Sequence, residues 1–381
     1  MKFRIPVEEL KWIIGVLGVT AKVNTVEIPG RILIKATDDS VTFLSNNGST
    51  GVSIESTNVA VDEPGEVSVV FGNVKSFVSP FTPWDDERGV GAKDFLFKSA
   101  ERNLIVNVRN KHESGKISNG RVKFSIYNAA SIGDVPTFDG PTFTINSNAM
   151  KSAIGKVLYV VDPNCMVAAL RGMCIRFTDK SIHFAGTDGK ALSEFAIENT
   201  TGVKDETYVI KLDYIMGLRR LLVPDVEFEF EVKERSIIMR YDNILFWGQT
   251  IIGNEYPEYE TIFNDYENKI VIDKEILTGN LLPFVDALDQ KDYSRVSMKI
   301  ENKKITLFND SGSFICDCDF EFNGEHTIDL NGNILLRTID AINDKEIAIK
   351  FSKDQSKNVL FDSANYENNQ RALIVPLRAR V

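Results

Sequence analysis

Histidine and cysteine are scarce in this 381-residue chain, with three of the first and four of the second. His112, His183 and His326 lie far apart, and His183 sits inside an alternating run that reads as a strand. Each is expected as a satisfied or exposed side chain rather than a base or a ligand. Cys165, Cys174, Cys316 and Cys318 form no CxxC pair. Cys316 and Cys318 share one face of a predicted strand, a spacing that suits neither zinc nor a disulfide, so four free thiols are expected. Motifs of reaction chemistry are missing as well: no GxSxG, HExxH or GxGxxG occurs. The stretch 186–190, GTDGK, lacks the spacer and the hydroxyl residue of a phosphate loop and falls in a hairpin. Asp85-Asp86-Glu87 reads as a solvated loop and Cys316-Asp317-Cys318-Asp319 as an alternating strand, so nothing in the spacing favours a metal-dependent hydrolase. The expectation is a non-enzyme with no cofactor and no metal. No apolar run reaches the roughly 20 residues of a spanning helix. The N-terminus shows no signal-peptide apolar region, which predicts a cytoplasmic chain with no membrane partner. A basic excess is also lacking. The net charge is −10, and a reader of DNA sequence is usually basic.

What the chain does have is a repeat. An extended run, a polar capping residue and a helix with one apolar face recur six times, with helices beginning near 7, 73, 147, 212, 273 and 331. Leu10, Ile13, Ile14 and Leu17 form the first face and Leu277, Leu281, Phe284, Val285 and Leu288 the fifth, all at helical spacing. Asn73, Asn146 or Ser147, Asp213, Asp273 and Asn331 are the expected caps. Gly279 and Pro283 make the fifth helix the weakest. Alternating runs joined by short polar tips follow, at 181–197, 236–251, 304–320 and 346–364, and each predicts a hairpin. One helix on about four strands cannot bury its own faces, so two units should pair into a domain. That predicts an α+β chain of three similar domains, 1–143, 144–266 and 267–381, each with two helices on antiparallel sheets. The helical stretches sum to a charge of +1, which leaves −11 on the rest.

Five stretches, in order, carry a resemblance over the whole length. MKFRIPVEELKWIIGVLGVTAK opens the chain, FAGTDGKAL and YVIKLDYIMGLRRLL stand in the middle, EYPEYETIF follows, and ALIVPLRARV closes it. Together the chain resembles the bacterial sliding clamp family, the beta subunit of DNA polymerase III. The resemblance implies a DNA sliding clamp, a processivity factor of DNA replication. It implies a ring formed by a head-to-tail homodimer and lined by twelve helices. Helices about 9 Å apart would place their axes on a circle about 35 Å across. Subtracting one helix diameter of about 10 Å leaves a hole of about 25 Å, wide enough for duplex DNA. A ring holds double-stranded DNA topologically and without sequence preference, so an acidic chain with a few inner cations is consistent with it. Its other partners would be a replicative DNA polymerase and the clamp loader. A repeat scaffold that binds proteins without encircling DNA shares every repeat feature and remains the alternative.

The resemblance also implies sites. Lys11, Lys22, Lys75, Lys151, Lys156, Arg219 and Arg220 would face DNA, or else be ordinary solvated charges. A hydrophobic pocket for partner peptides would take Leu170, Thr187, Gly189, Lys190, Leu192, Pro257, Thr261 and Ile262, then Leu373, Val375, Pro376, Leu377 and Arg378. The plainer reading is that LIVPL is a last core strand. Phe124 and Ile126 would meet Ala287 and Leu288 of the second copy at the dimer interface. Val23 before Asn24-Thr25, Lys190, Thr261, Ala168 and Ala169 depart from the family pattern. They point to a divergent branch, of the kind phages encode.

Overall fold

A computed structural model describes all residues except 22–29, 254, 264–265, 287–294, 311, 355–356, 365–368 and 378–381, and leaves out the side chains of residues 130, 131, 284 and 286. Lys22, Val23, Asn24, Thr25, Ala287, Leu288 and Arg378 lie outside the described residues.

The six helices form where the apolar periodicity places them: α1 (Val7–Leu17), α2 (Phe71–Val78), α3 (Ser147–Val157), α4 (Leu212–Leu221), α5 (Lys274–Asp286) and α6 (Gly332–Ala341). Two of the expected caps are made. Asn331 accepts from the Ile334 amide at 3.1 Å, and Asp273 from those of Glu275 at 2.7 Å and Ile276 at 3.2 Å. The other expected caps serve other contacts. α2 starts two residues before Asn73, after Val70. The Ser147 hydroxyl accepts from the Val226 amide at 3.1 Å, Asn146 donates to Glu227, and Asp213 accepts from Ser49. These polar groups tie helix entries to neighbouring segments of the chain.

The chain divides into two compact units, Met1–Ser147 with Asp213–Gln249, and Asn148–Leu212 with Thr250–Val381. In the first unit, an eight-stranded antiparallel sheet runs in the order Thr142–Asn146, Glu227–Lys233, Ser236–Tyr241, Ile244–Gln249, Thr50–Ser56, Val41–Asn46, Arg31–Ala36 and Gly65–Val70. A five-stranded sheet runs Ala60–Glu63, Lys2–Pro6, Gly91–Ala100, Asn103–Lys111 and Ile117–Ser125. Phe3 stacks on Phe97 at 4.8 Å and meets Phe43 edge-on at 6.3 Å, filling this core. The joint in the large sheet pairs Gly51 with Trp247. A Cβ on Gly51 would stand 2.1 Å from the indole, so glycine is what lets that ring lie across the joint.

The second unit repeats the design. Its eight-stranded sheet runs Glu206–Lys211, Gly172–Phe177, Ser181–Thr187, Ala191–Glu198, Gln370–Ile374, Val359–Ser363, Glu346–Phe351 and Asn268–Asp273. A four-stranded sheet runs Gly312–Asp317, Lys304–Asn309, Arg295–Glu301 and His326–Asn331. All four expected hairpins form. α5 and α6 pack together, with Leu277, Leu281, Leu335 and Ile339 buried in one core. In both large sheets the middle pairing joins strands far apart in sequence, so neither joint leaves a free edge.

Two residues expected at the dimer contact, Phe124 and Ile126, lie among the described residues. Phe124 is only 5% exposed and packs edge-on against Phe77 at 6.1 Å, so it belongs to the core of its own unit. Ile126, just past the edge strand Ile117–Ser125, is half-buried. The second unit's Gly312–Asp317 is also an edge strand, with Ile315 63% exposed.

Candidate partner-binding pocket and basic groove

The strand pairing of the second unit builds one wall of a pocket directly. Leu192, Leu373 and Leu360 stand opposite one another on three adjacent strands. Alternation puts them on one sheet face, while Ile374, Val359 and Phe361 turn to the other and join the core of α5 and α6. Over the leucine row lies the segment 256–263. Tyr259 and Phe263 are buried against Leu192, Leu360, Leu373, Cys174 and Ala185, with Tyr256 beside them. Tyr256, Tyr259 and Phe263 meet edge-on in sequence at 6.0 and 6.1 Å.

Between row and segment opens a cavity of about 260 Å³. Leu170, Thr187, Gly189, Lys190, Leu192, Pro257, Ile262, Leu373 and Val375 line it, all predicted from the sequence. Ala191, Tyr256, Glu258, Tyr259 and Asn358 complete the lining and were missed. The tyrosines had a signal: aromatics at 256, 259 and 263 follow a helical spacing. Asn358 had none. Thr261, Pro376 and Leu377 are predicted residues that stand outside the lining. Ile262 of the 3-10 turn Glu260–Phe263 lines the cavity, and Thr261 beside it does not. The Leu377 amide donates to the Asp329 carbonyl at 2.8 Å, which holds the tail against a different strand. The plainer reading of LIVPL is also correct in part, since Leu373 and Ile374 sit in a central strand.

The hairpin tip beside the pocket is fixed by its own polar groups. Asp188 accepts from the Lys190 and Ala191 amides at 2.7 and 2.8 Å, and Gly189 has φ 84°, a left-handed turn that favours glycine. Behind the pocket lies a charged hub. Glu194, 1% exposed, shares the face of Leu192 one pleat away. It accepts from His183 Nδ1 at 2.9 Å and from Arg371 Nε at 3.0 Å and Nη2. Burial pushes the Glu194 carboxyl up, but His183 and Arg371 outweigh it and hold the group below its ordinary range. Arg371 also lies 4.1 Å over the Phe263 ring, and Arg176 pairs with Glu260, so two arginines hold the two ends of the turn Glu260–Phe263. Burial pushes the Cys174 thiol up to about 12, which keeps it an inert core group.

In the first unit the predicted cations Lys11, Lys75 and Arg220 converge on one open groove of about 900 Å³, together with Trp12, Gly15, Val19, Val223, Tyr241 and Asp242. Arg219 is exposed beside it on α4, and Lys151 is exposed on α3. Two predicted cations are engaged elsewhere. Lys11 donates to the carbonyls of Ser79 at 3.2 Å and Phe81 at 2.8 Å, at the end of α2. Lys156 lies 4.2 Å over the Phe195 ring, and burial lowers its pKa. Among the described residues no group of three or more His, Cys, Asp or Glu is placed to hold a metal ion. Asp85 instead accepts from Arg88 and from the Glu87 amide. No helix among them is long and apolar enough to cross a membrane.

Residues 142–260 match the family model described as DNA polymerase III beta subunit, N-terminal domain. A beta sliding clamp of Buchnera aphidicola (subsp. Rhopalosiphum padi) is 26% identical over 245 residues, 62% of this chain. Over these stretches the chain is similar to the DNA polymerase III beta subunit family. The matched stretch spans 65% of that Buchnera relative and 46% of a second one. The fold is shared over a longer stretch. The crystal structure of the DNA polymerase III subunit beta from Pseudomonas aeruginosa superposes with TM-score 0.87 at 17% identity over 100% of both chains. That of the Helicobacter pylori beta clamp bound to a DNA ligase peptide superposes with TM-score 0.82 at 14% identity, over 99% of this chain and 100% of that one. The family-model match falls on the central third of this chain, which is where FAGTDGKAL and YVIKLDYIMGLRRLL stand.

Proposed function

We propose that this chain is a DNA sliding clamp. Two copies close head to tail around duplex DNA and tether a replicative polymerase and other partners, including the clamp loader, through the pocket of the second unit. The observation that carries the proposal is the convergence of nine residues, from four stretches of sequence, on the 260 Å³ cavity. That volume lies just below the range of small-molecule sites, about 300–1,000 Å³, so it suits one or two side-chain anchors of a peptide. Ile262 and Val375, each 39% exposed, offer apolar contact at the rim, and Lys190, Asn358 and Glu258 offer polar markers. The Helicobacter pylori clamp of the same fold is bound to a DNA ligase peptide, which agrees with this use.

The clamp works in the cytoplasm as a non-enzyme, and its three domains are 1–143, 144–266 and 267–381. Lys75, Lys151, Arg219 and Arg220 face the DNA. So few cations hold phosphate weakly, which a sliding ring requires. The seam between copies is built on the edge strands of the two units, where Ile126 stands on one side and the apolar run around Ile315 on the other.

The pocket is tested with a short peptide carrying one aliphatic and one aromatic anchor, taken from the polymerase tail. Ile262→Glu places a charge on the rim without disturbing the core. It is expected to weaken the peptide at least tenfold in a fluorescence anisotropy titration, with the oligomeric state unchanged. Unchanged affinity would move the partner site elsewhere.

A further inference from the structure

The groove of the first unit carries a side chain that duplex phosphates do not call for. The outward face of α1 reads Glu8, Trp12 and Gly15. Trp12 is 42% exposed on it, and among the described residues its indole makes no hydrogen bond or ring contact. A Cβ on Gly15, three residues on, would meet nothing within 4 Å, so the neighbouring turn leaves the ring uncovered. Around this bare ring stand cations. Lys75 and Arg220 are exposed, and neither has an ion pair among the described residues. Asp242 is the single acid in the lining. Lys11 is occupied at the end of α2.

A cationic groove with an open aromatic face is the arrangement that binds single-stranded nucleic acid. Phosphates take the cations and a base stacks on the ring. An acidic peptide would answer the same charge. It would also need an apolar floor, and here Ile14, Val16, Leu221 and Ile244 are each under 9% exposed. Only Trp12 and Val223 offer large exposed apolar surface. One flat base needs no more than Trp12 provides.

We propose that this groove binds single-stranded nucleic acid, with Trp12 as the stacking platform and Lys75 and Arg220 as the phosphate contacts. The inference rests on the reading that these helices face DNA, and extends it from the duplex to an unpaired strand, such as a template beyond a primer end. Stacking ignores base identity, so the site is indifferent to sequence.

The test uses the full chain, free in solution, and a dT20 oligomer with no loader present. Binding of dT20 should quench tryptophan fluorescence. Trp12→Ala should weaken binding about tenfold, while Trp12→Phe, which keeps a ring, should retain most of it. A phosphate backbone of equal length without bases should bind the native chain about as weakly as dT20 binds Trp12→Ala. Lys75→Ala and Arg220→Ala should each lower the salt slope by about 0.7. Equal dT20 affinity for Trp12→Ala and the native chain would overturn the proposal. So would displacement of dT20 by an equimolar Glu- and Leu-containing acidic peptide. Retention on circular DNA separates the two readings. If Trp12→Ala loses dT20 yet is still held on circles and released on cutting, both stand. If dT20 binding depends on Trp12 but no variant is held on circles, the clamp reading alone fails.

Discussion

Glu194 is the residue on which most of the pocket's charge balance turns. Its carboxylate is buried, so it persists as an ion only because His183 and Arg371 surround it. Replacing one partner of a buried, charged hydrogen-bonded group costs roughly 1.5–3 kcal/mol. Glu194→Gln is expected to lose about that at pH 7 in urea unfolding. The folded carboxyl lies below its ordinary value of 4.5. Its contribution is therefore complete above pH 4.5 and fades as the pH falls through the folded value. The two proteins should converge in stability below that point, and a difference independent of pH would show that shape rather than charge is what the glutamine disturbs. Peptide affinity should fall with stability, because Arg371 holds Phe263 and Arg176 holds the turn through Glu260. None of this was legible in the sequence. Arg371 lies 177 positions from Glu194, and only the register of two strands from different repeats brings them together. Leu192 and Leu373 were legible because each lies in a short stretch with a family likeness.

At the scale of elements, helix starts were legible to within two residues, because apolar spacing alone decides which face is buried. Caps were less so. A polar residue before a helix has two possible employers, and the tertiary neighbours of Ser147 and Asp213 outbid the first turn. Helix ends were less legible still: nothing in the apolar spacing marks Leu17, where α1 stops. The fifth helix does form, with Pro283 inside it. A proline there removes an intrahelical bond, so its neighbours in the buried face, Leu277 and Leu281, must hold the helix. Gly279 adds a second weakness, and a Cβ at that position would meet nothing within 4 Å. Gly279→Ala is expected to raise stability by about 0.5–1 kcal/mol, read as a higher unfolding midpoint in urea. A lower midpoint would mean that the glycine serves the backbone rather than weakening it.

For the whole molecule, the repeat explains why an acidic chain with little reaction chemistry carries so much sheet. Each large sheet crosses a joint between distant segments, Gly51 with Trp247 in one unit and Leu192 with Leu373 in the other. Ile117–Ser125 and Gly312–Asp317 are edge strands, one in each unit, and the proposed ring would set them against a second copy. The exposed Ile315 fits that use, whereas the buried Phe124 does not. The central claim is topological, and one measurement reaches it. The chain is loaded by a clamp loader on nicked circular DNA, and retention is measured before and after a single restriction cut. A clamp stays on the circle through a high-salt wash and is released within minutes of linearisation. Equal retention on circular and linear DNA would contradict the account and leave a protein-binding scaffold in its place.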